Sequence, residues 1–253
     1  MEVEKHMVSN NKVRGVILAG GLGTRLYPAT LVTNKHLLNV YHKPMIFYPI
    51  QILVDAGIKE ILVVTGGNSA GDFLRLLGNG HEFGLDTISY AYQKGEGGIA
   101  DALRFAEHFA HGGKIVVVLG DNVIEKNIKK YVDEFKAQPQ GARILIKESD
   151  YPERFGVAQV KGKKLIKIVE KPKSPKTNLI VTGIYMYDKT VFDFVRSLKP
   201  SRRGELEITD VNNRYINKGQ MYYNILDGWW SDCGTFDSLL YTSNLIADQE
   251  KQK

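Results

Sequence analysis

The sequence has few cysteines, few tryptophans and no long apolar segment. Its single cysteine, Cys233, cannot form an internal disulfide, which is typical of proteins in a reducing cytoplasm. No apolar run approaches the ~20 residues that a membrane-spanning helix requires. Residues 1–12 are polar and lack the apolar stretch of a secretion signal, so we expect them to form a flexible tail. We therefore expect a cytoplasmic protein with no membrane partner.

The charge balance is only mildly basic. The 253 residues include 34 Lys and Arg against 28 Asp and Glu, a formal net charge of +6. Such a balance suits polyanionic ligands, nucleotides among them. A nucleic-acid-binding protein should interleave a basic face with exposed aromatic side chains, and the sequence offers no such pattern, so we expect no nucleic-acid partner. The densest lysine run, over 161–176, has the spacing of a strand-turn-strand hairpin with a solvated face.

Apolar strand-like runs alternate with helical patterns along the first half of the chain, which favours βαβ units and a parallel sheet. The apolar runs lie at 13–19, 60–65 and 114–119, and the helical stretches at 44–56, 69–77 and 99–109. Pro49 should kink the first helix or delay its start. After about residue 142 come strands at 144–147, 156–160, 165–170 and 180–187, helices at 191–197 and 208–217, a strand, and a last helix from about residue 237. We predict a Rossmann-like α/β fold: a largely parallel mixed sheet flanked by helices, with a smaller inserted antiparallel sheet.

A glycine-rich loop, GGLGTRL at 20–26, directly follows the first predicted strand. Glycines at this place let backbone N–H groups approach a phosphate closely. Leu26 stands where a dinucleotide fingerprint requires a third glycine, and the Gly-Lys-Ser/Thr of a P-loop is absent. A tight structural turn would explain the glycines, but it would not explain Arg25, whose planar fork suits phosphate oxygens. The loop therefore indicates phosphate binding of another kind.

This loop and the motifs that follow it resemble the signature of the sugar nucleotidyltransferases, in the family's order. The further motifs are NKHLL at 34–38, KPM at 43–45, LGDN at 119–122, PERFGV at 152–157, EKP at 170–172, VTGIY at 181–185, RGELEITD at 203–210 and WSDCGT at 230–235. Within the family the chain most resembles the glucose 1-phosphate thymidylyltransferases. Only 18 residues follow Thr235, whereas longer members continue with helices that help build a regulatory nucleotide site. We therefore expect a short form without that second site.

The resemblance implies a reaction and its participants. It implies a Mg²⁺-dependent transfer of a nucleoside monophosphate from dTTP, or UTP, to glucose 1-phosphate, with release of pyrophosphate and formation of dTDP-glucose for deoxysugars such as rhamnose and for surface polysaccharides. The attacking phosphate is largely dianionic at neutral pH and needs no general base, so catalysis should depend on cations and positioning. The implied nucleotide-diphospho-sugar transferase fold forms a single domain over 13–253, with a nucleotide-binding part at about 13–141 and a sugar-binding part at about 142–236. The oligomeric state stays open between a monomer and a homo-oligomer.

The resemblance also assigns the site residues. Asp121 and Asp232 would hold the Mg²⁺, an ion that takes one or two carboxylates plus substrate oxygens. With these aspartates, Arg25 and Lys35 would be catalytic by binding the triphosphate and neutralising the pyrophosphate. The nucleotide-binding residues would be Leu18, Gly20, Gly21, Gly23, Thr24, Arg25, Gln93 and Gly98, with the last two on the pyrimidine. The residues for the sugar phosphate would be Asn122, Gly156, Glu170, Lys171, Val181, Tyr185 and Arg203, with Lys171 and Arg203 on its phosphate.

Three positions depart from the family's pattern. His36 stands where glutamine is frequent, Phe155 where tyrosine is frequent, and Gly97 where an aspartate is usual. The change at Phe155 leaves the identity of the sugar open. The change at Gly97 leaves open whether the base is thymine or uracil. A uridylyltransferase on the same fold is therefore an alternative. A non-catalytic nucleotide-binding regulatory protein is another, although such a protein would not need to keep Asp232 or Lys171.

A second motif, GNSAG at 67–71, matches the nucleophile elbow of hydrolases. That fold requires a histidine late in the chain, and the last histidine here is His111. Ser69 fits better as a helix N-cap, with Asp72 three residues on in an arrangement close to a capping box. We therefore set the hydrolase interpretation below the nucleotidyltransferase one.

Overall fold

The computed structural model describes residues 12–67 and 69–252. The predicted tail at 1–12 lies outside the described residues except for Lys12. Among the helices that are described, none combines the length and the apolar character needed to cross a membrane.

Strands and helices alternate through the described part of the chain. Its strands are β1 (Arg14–Ala19), β2 (Asn39–Val40), β3 (Lys43–Pro44), β4 (Glu60–Gly66), β5 (Thr87–Gln93), β6 (Ile115–Leu119), β7 (Asn122–Ile124), β8 (Ala142–Glu148), β9 (Gly156–Lys161), β10 (Lys164–Glu170), β11 (Leu179–Tyr187), β12 (Met221–Ile225) and β13 (Trp230–Asp232). Its α-helices are α1 (Phe47–Asp55), α2 (Ala70–Leu77), α3 (Ile99–Leu103), α4 (Glu107–Ala110), α5 (Lys129–Ala137), α6 (Thr190–Arg196), α7 (Ile208–Asn217) and α8 (Phe236–Lys251). Single turns of 3-10 helix lie at Thr24–Leu26, Lys35–Leu37, His81–Phe83, Arg104–Ala106 and Pro152–Arg154.

A nine-stranded mixed sheet forms the centre of the fold, in the order β10-β9-β11-β6-β1-β4-β5, with β8 joined to β11 and to β12. β1 is parallel to both of its neighbours, β4 and β6. The predicted α/β fold with a mixed sheet and flanking helices is confirmed. Its antiparallel strands do not form a separate layer, because β11 hydrogen-bonds directly to β6 and so extends the central sheet. Two small antiparallel sheets, β2 with β3 and β7 with β13, lie beside it.

Both faces of the central strands are buried, which explains why the apolar runs in the sequence are continuous rather than alternating. Val16 and Leu18 of β1 belong to one apolar cluster, and Ile17 belongs to another. Since successive side chains of a strand point to opposite faces, these clusters cover the two sides of the sheet. α3, α6 and α7 contribute to the first cluster, and α1, α2 and α5 to the second. The sheet is thereby held rigidly between two layers, with its strand ends free to carry a site.

Some local predictions were confirmed and others were wrong. α1 begins at Phe47, so Pro49 lies in its first turn. Backbone N–H groups there have no partner within the helix, so the N–H that proline lacks is not missed. The helix predicted over 99–109 is interrupted by a 3-10 turn at Arg104–Ala106, an interruption that nothing in the sequence explains. β5 and α5 were not predicted. Ser69 is the N-cap residue of α2, but its side chain makes no capping hydrogen bond, and Asp72 pairs with Arg75 instead.

An ion cluster ties the start of β1 to the start of β4. Arg14 Nε donates to Glu60 Oε2 at 2.7 Å, and Lys12 Nζ donates to the other oxygen of Glu60 at 2.5 Å. Arg14 is 9% exposed and also donates to the carbonyl of Ala110. The hydrogen bond from Lys12 is the main cause that holds the pKa of Glu60 below its ordinary 4.5, and Arg14 adds to it against the opposing effect of burial.

Glu60→Gln should lower the free energy of unfolding at pH 7 by about 1 kcal/mol, because it removes the charged partner of the buried Arg14. The effect is no larger because Glu60 itself is partly exposed to solvent. Because the folded-state pKa of Glu60 is depressed, its contribution is present above about pH 4.5 and is lost as the pH falls through the folded pKa. Urea denaturation of both proteins across this range should show the two stabilities converging in acid. Glu82→Gln is the matched control, since Glu82 is exposed and forms no ion pair with any described residue. A stability difference that did not change with pH would contradict this account.

Candidate active site

A cavity of about 480 Å³ opens at the carboxyl ends of β1, β5 and β6. This edge is where open α/β sheets place their ligands. The predicted site residues that line the cavity are Leu18, Gly20, Gly21, Thr24, Arg25, Lys35, Gln93, Gly98, Asp121, Asn122, Gly156, Glu170, Lys171, Val181, Tyr185, Arg203 and Asp232. Gly23 does not line it. A β-carbon on Gly23 would lie 2.8 Å from Cβ of Lys35, and the φ of Gly23, +68°, favours glycine. Gly23 therefore determines the backbone shape of the loop without lining the cavity.

The glycine loop rests on a second glycine-containing segment, at the end of β4. A β-carbon on Gly66 would lie 2.7 Å from the carbonyl oxygen of Gly20 and 3.1 Å from its Cα. Gly66 therefore lets β4 approach the loop closely. No sequence motif marks Gly66, because its role depends on a neighbour that is 46 residues away along the chain.

The turn that carries Lys35 is fixed by the side chain of Asn34. Asn34 Oδ1 accepts a hydrogen bond from the backbone N–H of His36 at 3.0 Å and lies 2.7 Å from His36 Nδ1, while Asn34 Nδ2 donates to the carbonyl of Ala19. Burial, with the charge of Lys35 next, lowers the pKa of His36 to about 3, so its ring is neutral. That ring fills the space above Gly120, where a β-carbon would lie 2.6 Å from His36 Cδ2. His36 is thus a packing residue of the site.

Two partly buried carboxylates lie near one another, at the start of β7 and the end of β13. Asp121 directly precedes β7, Asp232 is the last residue of β13, and the N–H of Cys233 donates to the carbonyl of Asp121 at 2.9 Å. Lys35 Nζ donates to Asp121 Oδ2 at 2.6 Å. Burial alone would raise the pKa of Asp121, but the charge of Lys35 outweighs it and holds that pKa well below its usual range. Burial and the neighbouring Asp121 raise the pKa of Asp232.

Asn122 connects these carboxylates to the central sheet. Its Oδ1 accepts hydrogen bonds from the backbone N–H of Gly183, at 2.9 Å, and from Trp230 Nε1, at 2.7 Å. Its Nδ2 donates to Asp121 Oδ1 at 3.0 Å. The amide enters β11 where its pairing with β8 shifts register, and a β-carbon on Gly183 would lie 2.5 Å from Asn122 Nδ2. Since both lone pairs of Oδ1 are used, the side chain positions Asp121 more than it faces the cavity.

The opposite wall of the cavity carries the residues predicted for the sugar. Glu170 ends β10, and its Oε2 accepts a hydrogen bond from Thr209 Oγ1 at 2.5 Å. A β-carbon on Gly156 would lie 3.4 Å from the same Thr209 hydroxyl. Tyr185 is 4% exposed, and burial, with Glu170 next, raises its pKa, so its hydroxyl stays neutral. This wall presents one carboxylate and neutral groups, which suits sugar hydroxyls.

Two cations lie at the rim of this wall. Lys171 has a φ of +39°, a left-handed conformation that is unusual for a residue with a side chain and is frequent at functional sites. Its N–H donates to the carbonyl of Phe155, and its Nζ lies 3.9 Å from Glu170 Oε1. Arg203 is bound to Glu205 at 2.8 Å and to Glu207 at 3.1 Å. Lys171 is therefore only loosely paired, whereas Arg203 is held in place by two carboxylates.

Some residues that line the cavity have no role that a sequence motif assigns. Arg154 Nη2 lies 4.0 Å from Asp232 Oδ1, so a further cation faces the carboxylate pair. Phe155 packs edge-on against Trp230 with 5.4 Å between ring centroids, and both line the cavity. Thr209 orients Glu170, as described above. Arg154 and Thr209 lie within recognised motifs, but only the fold shows which carboxylate each one faces.

The loop after β5 joins the two ends of the cavity. The backbone N–H of Leu206 donates to the carbonyl of Gly97 at 2.8 Å, and the carbonyl of Leu206 accepts from the N–H of Ala100 at 3.2 Å. Gly98 has a φ of +91° and packs against this connection. On the other side, Glu96 Oε1 accepts from the N–H of Leu22 at 3.3 Å. The predicted nucleobase loop therefore contacts both the glycine loop and the segment that carries Arg203.

With this arrangement established, comparison with known proteins shows the family. The family described as nucleotidyl transferase matches residues 14–249. The chain belongs to this family. Glucose-1-phosphate thymidylyltransferase of Neisseria meningitidis serogroup A is 44% identical over 238 residues, which are 92% of this chain and 82% of the relative. The enzyme of the same name from Mycolicibacterium smegmatis is 42% identical over 238 residues, again 92% of this chain and 82% of the relative.

Solved structures agree with this membership. A candidate glucose-1-phosphate thymidylyltransferase from Bacillus anthracis, crystallised in complex with sucrose, superposes with a TM-score of 0.89 at 49% identity, covering 93% of this chain and 96% of the other. UDP-glucose pyrophosphorylase in complex with UDP-glucose superposes with a TM-score of 0.83 at 22% identity, covering 94% of this chain and 99% of the other. The second likeness shows the shared fold alone. The cavity is therefore the candidate active site of a member of this nucleotidyltransferase family.

Gly66→Ala should reduce kcat/KM for the nucleoside triphosphate by about tenfold or more, because the new methyl group must displace the glycine loop, and sub-ångström misplacement of a binding group is costly. Initial rates of pyrophosphate release at varied nucleotide concentration measure this. Gly71→Ala is the matched control: a β-carbon there meets nothing within 4 Å, so activity should be unchanged. Equal kinetics for Gly66→Ala and the unchanged protein would show that the loop is not seated on β4.

Proposed function

We propose that this chain transfers dTMP from dTTP to glucose 1-phosphate, forming dTDP-glucose and pyrophosphate. The observation that carries the proposal is a pair of neighbouring, partly buried carboxylates, Asp121 and Asp232, that lines the same cavity as a glycine loop with cations on both sides. Two polyanions must meet in this reaction, so such a set of charges is what the chemistry requires. The names of the relatives at 42–44% identity support dTTP and glucose 1-phosphate as the two substrates.

The triphosphate is assigned to the glycine loop, Arg25 and Lys35. The backbone N–H groups of the loop and the guanidinium of Arg25 bind phosphate oxygens. Lys35 is held within 2.6 Å of Asp121, so its charge is already placed between the loop and the carboxylates. A β-carbon on Gly234 would lie 2.9 Å from Asp232 Oδ2 and 3.0 Å from Arg25 Nη2, which places Arg25 beside the second carboxylate.

We further propose that Asp121 and Asp232 bind Mg²⁺. Among the described residues, no group of three or more Asp, Glu, His and Cys side chains is placed to hold a metal. Two carboxylates nevertheless fit Mg²⁺, which prefers hard oxygen ligands and completes its shell with phosphate oxygens and water. When bound, the ion supplies positive charge to the phosphates during transfer. Lys35 and Asn122 hold Asp121 in a fixed orientation for this role.

The sugar phosphate is assigned to the opposite wall. Lys171 and Arg203 would bind its phosphate, and Glu170, with Gly156 and Tyr185 beside it, would bind its hydroxyls. A phosphate oxygen of glucose 1-phosphate attacks the α-phosphorus of dTTP, and the bond from that phosphorus to the oxygen bridging to the β-phosphate breaks, with pyrophosphate leaving. The attacking phosphate is already dianionic, so the site contributes charge and alignment rather than a base.

Incubation with Mg²⁺, dTTP and glucose 1-phosphate should therefore release pyrophosphate and yield dTDP-glucose. A grid of nucleoside triphosphates against sugar 1-phosphates, read by pyrophosphate release and by chromatography of the product, tests this directly. We expect UTP to be used more weakly than dTTP. Nucleotide binding without pyrophosphate release from any pair in the grid would favour the regulatory-protein alternative.

Asp121→Asn and Asp232→Asn should each reduce kcat by at least ~10²-fold, the effect of removing one preorganised charge contact from a reacting centre. Folding should survive, because asparagine is nearly isosteric with aspartate. Asp237→Asn, at an exposed position in the first turn of α8, is the matched control and should keep full activity. Pyrophosphate release in saturating Mg²⁺ and thermal melting check both points. Near-normal turnover by either site variant would remove that aspartate from the metal site.

Lys171→Ala and Arg25→Ala should affect different substrates. Lys171→Ala should raise KM for glucose 1-phosphate by about tenfold or more with little effect on KM for dTTP, because it removes a charged phosphate contact. Arg25→Ala should instead weaken the binding of dTTP and lower kcat. Lys173→Ala is the control, since Lys173 is exposed and lies outside the cavity. Similar kinetic changes for both variants with both substrates would contradict the assignment of the two walls.

A further inference from the structure

The side chain of Gln93 is held by two hydrogen-bond acceptors at the end of β5. Its Nε2 donates to Asp101 Oδ2 at 2.7 Å and to the carbonyl of Gly98 at 3.3 Å. Gln93 is 5% exposed and Asp101 is 8% exposed, so these bonds are largely shielded from solvent. The amide oxygen of Gln93 accepts no hydrogen bond from any described residue and lies against Gly20, on the cavity wall.

The chemistry of these neighbours fixes which end of the amide faces the cavity. A carboxylate and a carbonyl can only accept hydrogen bonds, so both require the NH₂ group of Gln93 and would repel its oxygen. Turning the amide by 180° would break the short, charge-assisted hydrogen bond to Asp101. It would also leave the oxygen of Gln93 facing the oxygens of Asp101 and Gly98, which are both acceptors. Gln93 therefore presents an oxygen acceptor to the cavity.

Asp101 is itself anchored on both sides. Its second oxygen, Oδ1, pairs with Arg104 Nη2 at 2.9 Å at the outer end of α3. On its inner side, a β-carbon on Gly97 would lie 2.5 Å from Asp101 Oδ2. The carboxylate of Asp101 thus occupies the space of a side chain at position 97. A residue larger than glycine at 97 would push Asp101 away from Gln93.

We propose that Asp101 is a positioning residue that sets nucleobase specificity by locking the amide of Gln93 with its oxygen toward the base. This inference rests on the proposed function, in which Gln93 faces the pyrimidine. Thymine and uracil carry a hydrogen-bond donor at N3, which complements that oxygen, whereas cytosine carries an acceptor at N3 and would face it unpaired. A site built around one hydrogen bond rejects a ligand that cannot make it, because a buried polar group is left unsatisfied.

The test is the ratio of kcat/KM for dTTP to kcat/KM for dCTP. In Asp101→Asn one amide oxygen must serve two donors, Gln93 and Arg104, so Gln93 is free to turn its NH₂ toward the base. The ratio should fall by about tenfold or more, the scale of one buried hydrogen bond, while KM for glucose 1-phosphate stays unchanged. Asp101→Ala, which removes the acceptor, should do the same and is available if the asparagine variant folds poorly.

Two control variants separate positioning from a general structural effect. Arg104→Ala keeps the bond between Gln93 and Asp101 and should keep the ratio. In a Gln93→Ala background, Asp101→Asn should change the ratio no further, because the amide that it orients is gone. A ratio that falls equally in that background, or a ratio unaffected by both Asp101 variants, would overturn the proposal.

Equilibrium binding of dTTP and of dCTP, measured by calorimetry without sugar phosphate, separates this proposal from the proposed function. A protein that binds dTTP in preference to dCTP and loses that preference in Asp101→Asn supports the role of Asp101 even if no pyrophosphate is released. A protein that transfers both nucleotides equally well keeps its nucleotidyltransferase function and overturns the role of Asp101.

Discussion

The hydrogen bonds of one buried amide, that of Asn122, hold the reaction centre together. This side chain links the strand that carries Asp121 to the backbone of β11 and to the indole of Trp230 on β13. Two of the partners, Gly183 and Trp230, lie far along the chain from Asn122, so the amide joins three separate segments. Because Asn122 is 2% exposed, these hydrogen bonds are shielded from bulk water. The two carboxylates are kept near one another by this link together with the backbone pairing of β7 with β13.

The charges around the cavity are arranged as internal pairs. Lys35 forms an ion pair with Asp121, and Arg203 forms ion pairs with Glu205 and Glu207. Cations of this kind would repel one another if they were brought together without partners, so the acidic residues make their assembly possible in the folded chain. Lys171 and Arg154 are paired more loosely, since their nearest carboxylate oxygens lie 3.9 Å and 4.0 Å away, and the backbone of Lys171 has a left-handed conformation. The site therefore combines firmly paired cations, Lys35 and Arg203, with loosely paired ones, Lys171 and Arg154.

Much of the fold was accessible from the sequence because the central strands are buried on both faces and so appear as continuous apolar runs. β5 escaped prediction because its outer positions are partly exposed, and α5 because its buried residues are spaced among lysines and acidic residues. Motifs identified the residues that reach the cavity, since each motif is local. They did not show that Gly66 supports Gly20, that Thr209 orients Glu170, or that Asp101 holds Gln93. Those relations join residues that become neighbours only through folding.

The connection between Leu206 and the loop at 97–100 joins the segment proposed for the nucleobase to the segment proposed for the sugar phosphate, so binding of the two substrates would be thermodynamically linked. A nucleotide that fixed this loop would also restrain the segment that carries Arg203, because the two segments share a pair of backbone hydrogen bonds. Reciprocity of binding free energies then requires that the sugar phosphate tighten nucleotide binding by the same factor. Nucleotide affinity measured with and without glucose 1-phosphate, in the absence of metal, reports the size of that factor. Cooperation between unlike ligands can thus arise inside a single chain, without a subunit interface.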